Sequence, residues 1–556
     1  MAREAPGPTV AEGEATTARG RRLHPARMGI ATQLHFPSAF SSPLAILIVS
    51  SVEGEADLSM KCESFADFAR LLEGEGELLR ISEPVRTDLE ITALADREMK
   101  APGGGDALLV EKPLLSDGSI SPFPVLINAF GSERRIEMVL GRPLEKLVEE
   151  IRALLHAEPP HSFREGWELL GKGLALARSR PCRVDHGACR DRIVTMGPSA
   201  KIDLRSLPVL RCWPKDGGPF ITLPQVFTKD PDTGKRNVGM YRMQVYDGAT
   251  TGMHWQIHKV GARHGAAYWE RGVRMPVAVC LGGDPILTFA ATAPLPDGVD
   301  ELLFAGFLRK KGIPLVRCET VDLEVPATAD FVLEGYVEPP ELRPEGPFGD
   351  HTGFYTPVEP YPVFHLTSIS HRKDAVYPAT IVGKPPMEDF YLGSASVRLL
   401  FPVLQATFPE IVDLALPPEG VFHDLVFVSI RKQYPYQAYK VMHGLWGMGQ
   451  MMFTKILVVV DAEVNVRDTA DVLFHLCANV DPERDFLFTR GPCDSLDHAQ
   501  ATPNMGSHVG IDATRKLPAE GYPRPWPEEV SLPGDLCREL FARFARKREG
   551  KGMDLP

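Results

Sequence analysis

A chain of 556 residues exceeds what one hydrophobic core serves, and its length suits roughly three domains. Apolar residues make up 44% and charged residues 24%, a globular balance that excludes a disordered or fibrous chain. The formal charge of −12 argues against a nucleic-acid partner, because such binders need a basic face to displace counterions. Clusters such as Lys235-Arg236 and Arg309-Lys310-Lys311 still leave room for an anionic ligand.

Residues 1–59 mix Arg, Pro, Gly, Ala and Ser without periodicity, and are expected to be a disordered extension or a start set too early. A secretory signal would place its charges and apolar core nearer the first residue. The longest early apolar run, Leu44 to Val49, falls far short of the ~18–20 residues that span a bilayer, so no transmembrane segment is expected. The cysteines at 62, 182, 189, 212, 280, 318, 477, 493 and 537 are odd in number and form no CxxC pair. That pattern fits reduced thiols and a cytoplasmic location better than disulfides or a zinc site.

From Met60 the pattern becomes regular. Phe65, Phe68, Leu71 and Leu72 recur at helical spacing, with Ser64 as cap and Gly74 and Gly76 as terminators. A strand at Leu78–Ile81, a helix near Leu89–Met99 and β-runs at Ala107–Val110 and Pro124–Asn128 follow, so the first domain reads as α/β. Helical pattern then dominates to about residue 180, including Leu144–Leu155, broken by Pro159, Pro160, Gly171 and Gly173. Short β-runs take over at Ile193–Met196, Ile221–Phe227, Val238–Tyr246, Val277–Leu281 and Ile286–Phe289, with a helix near Leu302–Leu308. Their spacing suggests a barrel or sandwich.

Alternation returns beyond about 360. It comprises Val363–Ser370, a helix near Ser394–Phe408, Val421–Ile430, a helix at Ala438–Met452, the strand Ile456–Val460 and a helix at Thr469–Ala478. The unbroken apolar run Ile456–Val460 predicts a strand covered on both faces. A Pro-rich tail precedes a final amphipathic helix, Pro533–Lys547.

Four segments concentrate chemistry. Glu345-Gly346-Pro347-Phe348-Gly349-Asp350-His351-Thr352-Gly353 carries two acids and an imidazole on what its glycines make a tight loop. Two carboxylates held close raise the pKa of one toward proton-transfer range, though a solvated turn is the plain alternative and Phe348 argues against it. Arg236 to Val245 reads as a strand, where Asn237 offers a carbonyl oxygen to a hard cation and Arg242 suits a carboxylate or phosphate. A cross-strand structural network explains the same residues. Met253-His254-Trp255-Gln256-Ile257-His258-Lys259-Val260 places His254 and His258 at the spacing of one helix face. Without a neighbouring Glu or Cys this is a weak zinc signal, and a cofactor cradle with Trp255 for planar contact fits better than zinc. Structural histidines remain the ordinary explanation. Glu301 opens a helix, where capping alone accounts for a carboxylate.

Together these segments resemble the UbiD family of prenylated-flavin-dependent decarboxylases. The likeness runs from about Met60 to about Trp526, and is carried in order by Asn237-Val-Gly-Met-Tyr-Arg242, Glu301 to Arg309, Leu323 to Pro326 with Leu333 to Tyr336, Glu345 to Gly353, Phe408 to Asp413 and Leu416 to Gly420. The resemblance implies an α/β (α+β) architecture. An N-terminal α/β domain with linker helices would occupy 60–180, a split β-barrel for the flavin 181–358, and an α/β dimerisation domain with its tail and last helix 359–556.

It also implies prenylated FMN, Mn2+ or another divalent ion, and K+. Asn237, Glu301 and His258 match the metal ligands, and Met240, Tyr241, Arg242, His254, Trp255, Gln256, Lys259 and Val260 the cofactor contacts. Arg242, Glu345 and Asp350 match the catalytic network, with Asp350 protonating the carbon that CO2 leaves. Lys259 departs from the arginine of some relatives, keeping the charge but losing the bidentate fork. The implied substrate is an aromatic or α,β-unsaturated acid, with 4-hydroxy-3-polyprenylbenzoate of quinone biosynthesis as the first choice and a menaquinone-pathway naphthoate or a small phenolic acid as rivals. A flavin-binding redox protein and a catalytically silent oligomerising subunit are the rivals of other classes. Implied partners are a flavin prenyltransferase that supplies the cofactor, further copies in a homodimer or homohexamer, and peripheral membrane contact if the substrate is polyprenylated.

Overall fold

The computed structural model describes residues 62–155, 177–197, 203–295 and 298–548, so the expectations for 1–59 and for the breaks at Pro159, Pro160, Gly171 and Gly173 lie outside them. Among the described residues no helix is long and apolar enough to cross a membrane, and all nine cysteines are unpaired.

The first helix, Phe65–Gly74, starts where the Ser64 hydroxyl accepts the Asp67 amide at 3.0 Å. Its Phe65, Phe68 and Leu72 are fully buried, each contributing roughly 1.5–3 kcal/mol. The strands Leu78–Arg86, Ala107–Leu114, Val125–Ile127 and Tyr377–Ala379 form the first sheet in that order. Tyr377–Ala379 reaches it from far along the chain and pairs parallel to Val125–Ile127.

The central sheet is antiparallel and has seven strands. Its path runs through Thr250–Gly252, Glu359–His371, Phe331–Glu345, Met275–Leu281, Gln225–Lys229 and Arg236–Met240, with Arg192–Thr195 added on Glu359–His371. Among the described residues the path is open. Glu359–His371 pairs with Phe331–Glu345 from Phe331↔His371 to Glu345↔Glu359, so a division at 358/359 falls between two partners of one ladder. This hairpin carries the acidic loop at its turn.

A first segment departs from expectation. Ile286–Phe289, read as a strand, lies in the helix Pro285–Thr292, which Asp284 caps by accepting the Ile286 amide at 3.0 Å. Every residue from Pro285 to Ala291 is buried, so the helix has no polar face and its apolar run imitates a strand.

The last sheet has the order Ile411–Ala415, Leu425–Ile430, Ile456–Asp461, Met505–Asp512, Phe486–Pro492, parallel at its centre and antiparallel at both edges. Ile456–Asp461 is covered on both faces as its apolar run predicts. Leu457 and Val459 pack with Val441, Met442 and Leu445 of helix Gln437–Trp446, while Val458 and Val460 pack with Val472 of helix Thr469–Asn479.

Candidate active site

The expected strand Arg236–Val245 is interrupted. Arg236–Met240 pairs with Gln225–Lys229, the ladder stops at Tyr241 and Arg242, and Met243–Gln244 pairs instead with Phe220–Ile221. The break releases Arg242 from alternation and lets its guanidinium reach the acidic loop. Its Nε donates to Glu345 Oε1 at 3.1 Å, its Nη1 to Asp350 Oδ2, and its Nη2 to Thr356 Oγ1 at 3.4 Å. The guanidinium also lies 4.6 Å from the ring centre of Phe348, which itself packs on Phe220. Phe348 is thus the floor beneath the arginine and is buried.

Glu345 ends the strand Phe331–Glu345, and the chain turns away at Gly346 with φ +101°, a conformation that favours glycine. The Gly346 amide donates to Gln244 Oε1 at 2.7 Å, and the Gly349 amide to Asp216 Oδ1 at 2.8 Å, which pins the loop at two points. The loop is therefore buried structure and not a solvated turn: the side chains of Glu345 and Asp350 are 0% and 7% exposed.

The expectation that crowding lifts the pKa of one acid is not met at Asp350. Burial is the largest single influence and acts upward, yet Arg242 and then His351 outweigh it and hold the carboxyl well below the usual range. His351 donates to Asp350 Oδ1 from its backbone amide at 2.7 Å, and its Nδ1 lies 2.8 Å from the same oxygen. Burial opposes its protonation, but Asp350 wins and raises the imidazole to about 9.

His254 joins the same cluster, with Nδ1 at 2.9 Å from Glu345 Oε1 and its ring 4.2 Å from that of Tyr361. It does not share a helix face with His258. Residues 253–259 precede the helix Val260–Glu270, whose N-cap is Lys259, and His258 is exposed and packs on Phe453 at 5.4 Å. Lys259 is half-buried, and burial lowers its ammonium against a weaker pull from Asp494. Tyr241 is buried with its hydroxyl accepting the Gly261 amide at 3.3 Å and standing 3.5 Å from Asn237 Nδ2. Glu301, first residue of helix Glu301–Arg309, accepts the Val238 amide at 3.1 Å next to the buried Asn237. Burial pushes Glu301 up to about 7 against the opposing pull of backbone amides and Arg236. Among the described residues no three His, Cys, Asp or Glu side chains group as a metal site.

The surroundings suit a polar planar ligand. Glu345 Oε2, His254 Nε2 and Trp255 Nε1 are buried with no hydrogen-bond partner, an arrangement that costs about 1–3 kcal/mol per atom unless a ligand completes it. They lie where Gly252 and Gly261 keep space clear: a Cβ at Gly252 would meet Glu345 Oε2 at 2.9 Å, and one at Gly261 would meet Trp255 Nε1 at 2.9 Å. The helix Val260–Glu270 begins beside Trp255, and of its first amides Gly261 is already taken by the Tyr241 hydroxyl. Thr356, Tyr361 and Asp216 escaped the sequence reading because their roles come only from packing. His351 stood in the quoted motif, adjacent to Asp350, and that adjacency was its one signal.

Family models for the 3-octaprenyl-4-hydroxybenzoate carboxy-lyase match the chain in three consecutive parts: the N-terminal domain over residues 69–155, the Rift-related domain over 183–385 and the C-terminal domain over 390–513. The chain belongs to the UbiD family. It is 48% identical over 486 residues to an uncharacterized protein of Archaeoglobus fulgidus, covering 87% of this chain and 98% of that one. A second, of Aquifex aeolicus, is 46% identical over 488 residues with the same coverage.

Among solved structures, the UbiD-class enzyme HmfF from Pelotomaculum thermopropionicum in complex with FMN superposes with a TM-score of 0.70 at 27% identity, over 85% of this chain and 98% of its own. An evolved dimeric form of HmfF in complex with prenylated FMN gives 0.69 at 27%, over 85% and 97%. The closed form of Sedimentibacter hydroxybenzoicus vanillic acid decarboxylase gives 0.75 at 25%, over 88% and 100%. UbiD proteins are carboxy-lyases, and this chain is an enzyme of that class.

Proposed function

We propose that the enzyme carries out the non-oxidative, reversible decarboxylation of an aromatic or α,β-unsaturated acid with prenylated FMN, and that the acid is a 4-hydroxy-3-polyprenylbenzoate. The observation that supports this most is Arg242 clamped between Glu345 and Asp350, with Glu345 Oε2 and His254 Nε2 of the same cluster buried without partners. The family models describe a 3-octaprenyl-4-hydroxybenzoate carboxy-lyase, which favours that substrate among aromatic acids.

Met240, Tyr241, Arg242, His254, Trp255, Gln256, Lys259 and Val260 are the residues that would hold the flavin, with Lys259 and the helix start at Val260 taking the phosphate. Asn237 and Glu301, which lie next to each other beside Val238, would with His258 take Mn2+ or another divalent cation and K+. When bound, prenylated FMN supplies the electron sink for carbon–carbon cleavage. Arg242 orients both acids and keeps Asp350 ionised at rest. Glu345 ties Arg242 to His254 and keeps one oxygen free for the site. Asp350 takes up a proton and delivers it to the carbon from which CO2 has left.

The assembly we favour is a homodimer or a homohexamer, in the cytoplasm, with cofactor supplied by a flavin prenyltransferase. The unpaired cysteines support the reducing compartment, and a polyprenyl tail would bring the protein to a membrane surface.

The test is to co-express the chain with a flavin prenyltransferase, confirm prenylated FMN by absorption and mass, and screen aromatic acids for CO2 release. Release from a 4-hydroxy-3-polyprenylbenzoate supports the assignment, and release confined to naphthoates or small phenolic acids reassigns the substrate. Loaded enzyme that releases CO2 from none of them refutes it. Asn237→Ala and Glu301→Ala should each lose metal and cofactor together, and retention of both would remove them as ligands.

A further inference from the structure

Asp350 poses a problem that the site alone does not answer. A carboxyl held this far toward ionisation stores no proton at neutral pH, yet each turnover consumes one. The nearest group able to store it is His351, and His351 is not alone. Its Nε2 lies 2.9 Å from Nε2 of His423, and His423 Nδ1 lies 3.2 Å from Asp424 Oδ1. Lys455 then stands 3.6 Å from Asp424 and donates to Asp497 at 2.9 Å. The chain of contacts runs from the acidic loop to the start of the last sheet, where Asp424 precedes Leu425–Ile430.

His423 is held in place by an unfavourable backbone. Val421 and Phe422, immediately before it, have φ of +55° and +45°, a region that costs a β-branched or bulky residue about 1–3 kcal/mol each. Phe422 rests 5.6 Å from the His351 ring. Local sequence preference therefore does not explain this geometry, whereas fixing His423 against His351 does.

We propose that His351 and His423 are positioning residues that reload Asp350 with the proton used in the reaction. The role rests on the assignment of Asp350 as proton donor. Two ring nitrogens 2.9 Å apart share one hydrogen, so one ring donates and the other accepts. With Asp350 on one side and Asp424 on the other, the balanced arrangement is a doubly protonated His351. Its Nδ1–H is directed at Asp350 and its Nε2–H at His423, which places the His423 proton on Nδ1, 3.2 Å from Asp424 Oδ1 though not in hydrogen-bond geometry with it. In the protonation step the His351 Nδ1–H bond breaks as an O–H bond forms on Asp350 Oδ1, and that O–H bond then breaks as the C–H bond forms on the substrate carbon, which returns Asp350 to its carboxylate. His351 becomes neutral and regains its proton from solvent, which matches the one proton that decarboxylation of a carboxylate consumes.

The groups that face His351 are Asp350 and His423, with Asp389 of helix Glu388–Thr407 and Asp494 at longer range, and those that face His423 are Asp424 and, beyond it, Lys455. Both distant acids favour the imidazolium.

The experiment has two arms. In the free protein, 15N-histidine NMR should show His351 doubly protonated through neutral pH and His423 as the Nδ1–H tautomer. In His423→Gln, and separately in Asp424→Asn, the His351 transition should move to lower pH. A His351 that is neutral at pH 7, or unmoved in both variants, overturns the proposal whatever the enzyme's activity. In the loaded enzyme, His351→Asn should lower kcat by about 100-fold with KM little changed, and should abolish the loss of rate at alkaline pH. Unchanged kcat and pH profile in His351→Asn would overturn it too. If the loaded wild-type enzyme releases no CO2, the decarboxylase assignment falls, while the NMR arm still decides whether the imidazolium exists.

Discussion

In the C-terminal sheet Lys516 sends its ammonium to the carbonyl oxygens of Asp512 and Thr514, both at 2.6 Å, and lies 3.2 Å from Asp512 Oδ1. Lys432 beside it donates to Thr514, Arg515 and Glu520 at 3.0, 3.0 and 2.7 Å. No buried side-chain atom of these residues lacks a partner. The cluster around Arg242 uses the same kinds of group at the same depth, yet Glu345 Oε2, His254 Nε2 and Trp255 Nε1 have none. Burying charge is costly in both places, but only the first network offsets the cost within the chain. A network saturated within the chain is framework, whereas the unpartnered atoms of the Arg242 cluster are open to a ligand.

Exchanging single residues tests that contrast. Asp350→Asn should lower CO2 release by about 100-fold or more in the loaded enzyme while the urea midpoint stays near wild type. A variant that unfolds but keeps its specific activity would place Asp350 with the framework. Lys516→Met should do the opposite, costing about 3–5 kcal/mol in urea denaturation because it strips Asp512 of its nearest cation, with kcat per folded molecule unchanged.

Stability against pH gives a smaller effect. His351 has a folded pKa of about 9 against an ordinary 6.5, so its contribution is complete below pH 6.5 and is lost as the pH rises through 9. Asp350 is lowered from its ordinary 3.8, so its contribution is complete above that value and fades as the pH falls through the folded pKa. The Tm contributed by the pair should hold between about pH 4 and 6.5 and decline toward 9, and His351→Asn should flatten that decline. An identical Tm profile in the variant would dissolve the coupling. The smallest change belongs to the exposed pair Arg467–Asp413, 2.8 Å apart with side chains 41% and 33% exposed. Arg467→Ala should cost less than about 1 kcal/mol in the same denaturation, since water already solvates both charges.

Much of the architecture is visible in local pattern. Ser64 and the spacing of Phe65, Phe68 and Leu72 specify the first helix, and Ile456–Val460 announces a strand covered on both faces. Pattern fails where burial is uniform, as at Pro285–Thr292, or where the chain breaks its own period, as at Tyr241 and Arg242. The spacing of His254 and His258 misleads because the helix begins only at Val260. Tyr377–Ala379 could not be placed in the first sheet from sequence, because strand pairing depends on partners distant in the chain.

For the acidic loop, the residue types at 345 to 353 showed two acids and an imidazole on a tight turn, and only the family resemblance joined them to Arg242. Which protons they hold was decided by tertiary structure alone. Arg242 and His351 lower Asp350, and His423 arrives from another domain to share a proton with His351. A pKa depends on burial and on charges within a few ångströms, and those distances exist only once the chain has folded.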